Sequence, residues 1–92
     1  LPGASDYFRG GVVAYSNDVK RSLLGVNGGD LERFGAVSRP VAEQMAEGVR
    51  RATGSVYGIA TTGVAGPSGG TPDKPVGTVW MAVSGPEGTI WY

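Results

Sequence analysis

Apolar and polar residues recur with a helical period in one long segment of the chain. Between residues 38 and 54, apolar side chains are spaced three or four positions apart, at Val41, Met45, Val49 and Ala52. This spacing places them on one face of an α-helix. Ser38 is a favoured N-cap residue, Pro40 suits the first turn and Gly54 suits the end, so the sequence predicts a helix between Ser38 and Gly54.

Shorter apolar blocks predict β-strands. Residues 12–15 are apolar and residues 55–63 are rich in β-branched side chains, and both runs suit buried strands. Residues 78–84 and 89–92 flank a Gly-Pro-Glu-Gly turn at 85–88, which predicts a β-hairpin.

Two shorter helical segments are predicted in the first third of the chain. Ser16 or Asn17 suits the N-cap of a helix that runs to about Leu24 and ends at Gly25. A further short helical turn is predicted after a cap at Asp30. The alternation of strands and helices predicts an α/β fold, in which helices cover a sheet.

The composition narrows the range of functions. The chain has 92 residues, 40% of them hydrophobic, which suits one small domain. Eight basic and eight acidic residues, with no run of like charge, give no support for a nucleic-acid or anionic membrane partner. The chain contains neither Cys nor His, so catalysis must rest on Lys, Tyr, Ser, Thr or carboxylates. No membrane-length apolar run or signal peptide is visible, which predicts a cytoplasmic protein.

The segment around Tyr15 and Lys20 is the first candidate site. Tyr15 ends a predicted strand, and Lys20 falls in the first turn of the helix that follows, at the sheet edge where α/β proteins collect ligands. Desolvation and a neighbouring helix N-terminus both lower the pKa of a lysine. A neutral amine of this kind can take a proton from a serine hydroxyl, and a tyrosine can relay it. General burial statistics favour the plain alternative, a solvated Lys20 and a half-buried Tyr15.

The second candidate site follows the strand that contains Thr62. A glycine-rich loop begins at Gly63, and backbone N–H groups in such loops can bind an anion or an oxyanion. It is not a phosphate-binding P-loop, because Lys74 precedes Pro75 instead of Ser or Thr. The alternative is a long structural connection, although long glycine-rich loops are often functional.

Three stretches of the chain carry a resemblance to a known family. They are "PGASDYFRGGVVAYSNDVKRSLLGV", "GAVSRPVAEQMAEGVR" and "TTGVAGPSGGTPDKPVGTVW". Together they resemble the C-terminal domain of the competence/damage-inducible CinA family, over essentially the whole chain. The resemblance implies a three-layer α/β/α fold. It also implies hydrolysis of the carboxamide of nicotinamide mononucleotide (NMN) to nicotinic acid mononucleotide and ammonia, without a metal or cofactor.

The family's motifs assign roles to individual residues of this chain. Lys20 matches the catalytic lysine, Tyr15 the assisting tyrosine and Thr62 the assisting threonine. The resemblance further implies substrate contacts at Ser16, Asn17, Gly63, Ala65, Gly66, Gly69 and Gly70. The expected partner is the small molecule NMN, with no nucleic acid and no membrane, and a homo-oligomer stays an alternative to a monomer.

The family's nucleophilic serine has no counterpart here. It belongs to a Glu-Ser-Cys/Ala-Thr-Gly-Gly motif that precedes the segment beginning "PGAS", and this motif does not occur in the chain. Ser5, Ser16 and Ser22 lie in other family contexts and are not assigned that role. We therefore expect residues 1–92 to be a single partial domain, truncated at both ends. Two alternatives stay open: a non-catalytic nucleotide- or protein-binding module linked to competence or DNA damage, and a purely structural fragment.

The missing serine leads to a direct prediction. The 92-residue chain alone should release no ammonia from NMN, because the lysine has no nucleophile to deprotonate. A coupled ammonia assay with purified chain checks this, and measurable release above the buffer blank would contradict it.

Overall fold

Three helices and then three strands follow one another in the part of the chain that the structure describes. This computed structural model describes residues 12, 14, 17–64, 72 and 74–91. The elements are α1 (Asn17–Ser22), α2 (Gly28–Phe34), α3 (Arg39–Thr53), β1 (Gly58–Gly63), β2 (Val79–Gly85) and β3 (Gly88–Trp91). None of the described helices is long and apolar enough to cross a membrane.

Helix α3 confirms the prediction from helical spacing. It begins after Ser38 and ends at Gly54, which adopts the left-handed conformation and donates its N–H to carbonyls of the last turn. Val41 and Met45 are buried and Val49 packs partly against the core. Ala52 is exposed, contrary to its place in the predicted stripe, because the core beneath α3 ends one turn before the helix does.

The three strands form an antiparallel sheet in the order β1-β2-β3. The predicted hairpin is confirmed, with each strand displaced by about one residue from its predicted bounds. Strand β1 begins at Gly58, so residues 55–57 lie outside the predicted strand. The prediction that β1 is largely buried is wrong: buried and exposed residues alternate along it, and Ile59 is 64% exposed. Only alternate side chains of a strand face the helix layer, which accounts for this pattern.

The two faces of the sheet differ in their cover. One face carries α3, which contacts all three strands. On the other face, Ile59, Val83 and Ile90 lie side by side across the three strands, since each is paired with the next in register. Ile59 and Ile90 are exposed. The described residues therefore supply two of the three layers that the resemblance implies.

Two glycines let α3 approach its neighbours at backbone distance. A Cβ atom at Gly48 would lie 1.8 Å from the carbonyl oxygen of Leu24, and one at Gly58 would lie 2.2 Å from that of Ala46. Both distances are far below a van der Waals contact. Helix α3 is thus held between the segment that follows α1 and the start of β1, with no room for a side chain at either crossing.

The first two helices differ in detail from their predictions. Helix α1 ends at Ser22, two residues earlier than expected, although the turn continues to Gly25, whose N–H donates to the Arg21 carbonyl at 3.1 Å. Helix α2 is longer than one turn, and its N-cap is Asn27, not the predicted Asp30. The Asn27 side chain accepts a hydrogen bond from the Asp30 N–H at 3.1 Å.

The predicted strand 12–15 falls mostly outside the described residues. Val12 and Ala14 are described, and both pack partly against the core. The core itself is formed by Leu24, Val26, Leu31, Val41, Ala42, Met45, Ala46, Ala60 and Ala82. Small side chains make up a large share of it, which is consistent with the close approach of α3 to the sheet.

The backbone contact at Gly48 can be tested by substitution. Gly48→Ala should lower the free energy of unfolding by about 1–3 kcal/mol, because the added methyl group overlaps the Leu24 carbonyl. At an open helical position the same change would stabilise the helix by about 1 kcal/mol. Ala52→Gly, at an exposed position of α3, calibrates this helix propensity in the same protein. Urea unfolding followed by circular dichroism measures both variants, and a Gly48→Ala chain more stable than wild type would contradict the packing.

Candidate active site

The carboxyl end of β1 is tied to the connection between α2 and α3. Thr62 is 9% exposed and lies on the sheet face that carries the helices. Its hydroxyl donates a hydrogen bond to the Ala36 carbonyl at 2.8 Å. A threonine hydroxyl has one proton to donate, so Thr62 offers lone pairs to a ligand in this arrangement. The hydroxyl proton of Thr62 is therefore already engaged.

Three consecutive carbonyls of this connection accept hydrogen bonds from side chains. We call residues 34–38 the connector. The Lys74 ammonium donates to the Phe34 carbonyl, and the Ser38 hydroxyl donates to the Gly35 carbonyl at 2.8 Å. Thr62 completes the set at Ala36. Because Phe34 ends α2, the Lys74 cation lies where the helix dipole favours positive charge.

Backbone hydrogen bonds continue the β1–β2 pairing beyond the strands. The Val64 N–H donates to the Thr78 carbonyl at 2.8 Å, and the Gly77 N–H donates to the Val64 carbonyl at 2.6 Å. Gly63 lies against this pairing, since a Cβ there would be 2.9 Å from the Thr78 carbonyl oxygen. The predicted loop contacts Ala65, Gly66, Gly69 and Gly70 lie outside the described residues.

Lys20 is buried, contrary to the statistical expectation of a solvated lysine. It is the fourth residue of α1 and is 7% exposed. Its neighbour Asp18 pairs with Arg21 at 3.1 Å. Among the described residues the only other ion pair joins Arg39 to Glu43, so Lys20 takes part in none. A lysine is seldom buried unless a partner neutralises it.

The prediction that Lys20 lies in the first turn of a helix, where the dipole disfavours its charge, is wrong. Helix α1 has six residues, and Lys20, the fourth of them, belongs to its last turn. A cation in a last turn is favoured by the dipole. The unusual property of Lys20 is therefore its burial and not its place along the helix.

The remaining predicted residues of this segment are described only in part. Tyr15 and Ser16 lie outside the described residues, and Asn17 begins α1. No hydrogen bond joins Lys20 to Thr62 among the residues that the structure describes. Sequence reasoning did not assign a role to Lys74 or to the connector. The sequence feature that could have indicated Lys74 is its position as the one lysine near the end of the glycine-rich loop.

A concave region lies at the opposite end of the sheet from Thr62. It is an open cleft of about 600 Å³ between the last turn of α3 and the β2–β3 turn. Arg50 donates to the Gly85 carbonyl at 2.8 Å, and Thr89 donates to Glu47 at 2.9 Å. These side chains fasten the hairpin to α3, and none of the predicted site residues lines the cleft.

The fold fits the family that the sequence motifs indicated. The family model of the CinA C-terminal domain matches residues 1–92, and the chain belongs to this family. The predicted α/β class is confirmed by solved structures of the same superfamily.

Close relatives are known by sequence. The chain is 57% identical over 90 residues to a CinA-like protein of Gloeothece citriformis, covering 98% of the chain and 22% of that protein. It is 61% identical over 81 residues to a CinA-like protein of Salinibacter ruber, covering 88% of the chain and 20% of that protein. The chain thus spans about a fifth of the length of these relatives.

Solved structures show the same architecture. The competence damage-inducible protein A of Klebsiella pneumoniae matches all of the chain with a TM-score of 0.93 at 33% identity, and the match covers 57% of that protein. A competence/damage inducible protein of Agrobacterium tumefaciens matches 85% of the chain with a TM-score of 0.81 at 44% identity, over 48% of its own length. The chain spans about half of each solved relative.

The Thr62 hydrogen bond can be tested in the chain itself. Thr62→Val keeps the shape of the side chain but leaves the Ala36 carbonyl without its donor, and we expect a loss of about 1–3 kcal/mol of stability. Thr62→Ser keeps the hydroxyl and removes only a methyl group, so it should cost less. Urea unfolding of the two variants checks the order, and an equal or greater loss for Thr62→Ser would contradict the hydrogen bond's role.

Proposed function

We propose that the chain carries the base side of an amidohydrolase site that converts NMN to nicotinic acid mononucleotide and ammonia in the cytoplasm. The observation that carries the proposal is the burial of Lys20 without an ion-pair partner among the described residues. Lysine is seldom buried, and burial of its side chain costs stability unless the charge is compensated. Membership of the CinA C-terminal domain family supports the same conclusion.

In the proposed mechanism Lys20 is the general base. A serine contributed by residues outside this chain attacks the carboxamide carbon, and Lys20 takes the hydroxyl proton. The tetrahedral intermediate collapses, the C–N bond breaks, and the proton is returned to the leaving nitrogen as ammonia departs. Water then attacks the acyl-enzyme as Lys20 accepts its proton, the ester bond to the serine breaks, and Lys20 returns the proton to the serine oxygen. No metal or cofactor takes part in these steps.

Tyr15 and Thr62 have assisting roles in this proposal. The Tyr15 hydroxyl relays the proton or holds the amine of Lys20. Thr62 offers its lone pairs to an N–H of the carboxamide, since its own proton is donated to Ala36. Backbone groups that begin at Gly63, together with Ser16 and Asn17, complete the substrate contacts that we propose.

The proposal predicts opposite effects of one substitution on activity and stability. Lys20→Met in the full polypeptide that carries these residues should abolish ammonia release from NMN. In the 92-residue chain the same change should raise the free energy of unfolding by about 0.5–2 kcal/mol, because a buried lysine is replaced by an apolar side chain of similar length. Ammonia assays and urea unfolding measure the two effects.

A matched control is available one residue away. Arg21→Met removes an exposed cation from the same helix and should change neither turnover nor stability by much. Retained turnover in the Lys20→Met protein would refute the base role. Binding of NMN without turnover by the wild-type polypeptide would favour a binding module over an enzyme.

A further inference from the structure

Lys74 makes a contact between parts of the chain that are 40 residues apart. Its ammonium donates to the Phe34 carbonyl at the end of α2. The next residue, Gly35, has φ of 79°, and a Cβ atom there would lie 2.9 Å from the Lys74 nitrogen. Glycine at position 35 therefore adopts this positive φ without strain, and it also leaves room for the Lys74 ammonium.

Lys74 and Thr62 converge on the same short segment from opposite sides of the glycine-rich stretch. Thr62 precedes that stretch and bonds to the Ala36 carbonyl, whereas Lys74 follows it and bonds to the Phe34 carbonyl. The two acceptors are two residues apart in the chain. The carboxyl end of β1 and the segment that leads into β2 are thus attached at neighbouring points of the connector.

The two attachments differ in chemistry, since one donor is a charged ammonium and the other a neutral hydroxyl. A hydrogen bond from a charged ammonium is stronger than one from a neutral hydroxyl, and the end of α2 adds a favourable dipole term. Thr62 depends on the position of Ala36, because its hydroxyl can reach the carbonyl only while the connector stays in place. The Lys74 contact restrains the residue two positions before Ala36 and so limits the movement of that carbonyl.

We propose that Lys74 is a positioning residue that holds the connector against the carboxyl end of β1 and so fixes the orientation of Thr62. In this role it acts through the Phe34 carbonyl. The consequence for catalysis rests on the proposed amidohydrolase function. The anchoring itself does not, and it can be measured in the chain alone.

Hydrogen exchange on the 92-residue chain tests the anchoring. Lys74→Met should raise the exchange rate at least fivefold in peptides covering 34–38 and 74–79, with little change in α3 and β2. Lys74→Arg keeps a cationic donor and should restore wild-type rates within about twofold. Arg33→Met is the matched control. Arg33 stacks on the neighbouring Phe34 ring, so this substitution removes one positive charge at the same place but leaves the bond from Lys74 to the Phe34 carbonyl intact. Unchanged rates in Lys74→Met, or an equal rise throughout α3 and the sheet, would overturn the anchoring.

Turnover of NMN by the full polypeptide tests the consequence for catalysis. Lys74→Met should lower kcat tenfold or more with a smaller change in KM, because misoriented groups slow the chemical step. Lys74→Arg should recover most of kcat, and Arg33→Met should leave it unchanged. Local loosening with full kcat would overturn the positioning role. If the wild-type polypeptide releases no ammonia, the proposed function fails, and the exchange rates alone decide on Lys74.

Discussion

The packing of α3 at backbone distance is the constraint on which the rest of the described structure depends. At Gly48 the helix meets the Leu24 carbonyl, and at Gly58 the start of β1 meets the Ala46 carbonyl. Neither crossing leaves room for a side chain. The position of α3 therefore sets both the distance between the helix and the sheet and the path of the segment that follows α1. A displacement of the helix would disturb both at once.

The candidate site lies at the ends of elements that α3 holds in place. The connector leads directly into α3, and Thr62 reaches it from β1, whose first residue packs under the same helix. Lys20 lies in α1, and its carbonyl accepts a hydrogen bond from the Val26 N–H at 2.9 Å. Val26 belongs to the segment that packs against Gly48 through Leu24. The site residues are thus placed by a rigid element that carries none of them.

Local sequence signals were sufficient for some elements and insufficient for others. Helix α3 was predictable because its period, its proline and its terminal glycine agree, and the hairpin because its turn is short and glycine-bounded. The N-cap of α2 was not predictable, since Asn27 and Asp30 are both good capping residues. The choice depends on Gln44 of α3, which accepts from the Asn27 N–H and donates to the Asp30 carboxylate, each at 2.7 Å. Residues 27–34 alone carry no information about this contact with Gln44.

The site shows the same division between local and distant information. Motif resemblance singled out Lys20 and Thr62 without structural help. The burial of Lys20 runs against general statistics for lysine, and the engagement of the Thr62 proton follows from a contact with Ala36, 26 residues earlier in the chain. The role of Lys74 depends on Phe34, 40 residues earlier, and no periodicity or spacing rule joins the two.

The separation of contacting residues along the sequence has a consequence for how the chain folds. The Leu24–Gly48 crossing joins residues 24 positions apart, and the Arg50–Gly85 hydrogen bond between α3 and the hairpin joins residues 35 positions apart. The entropy cost of closing a loop rises only slowly with this separation. Neither contact is therefore strongly favoured to form before the other. We expect the segment around Leu24 and the sheet to pack on α3 in one cooperative step, which includes the burial of Lys20.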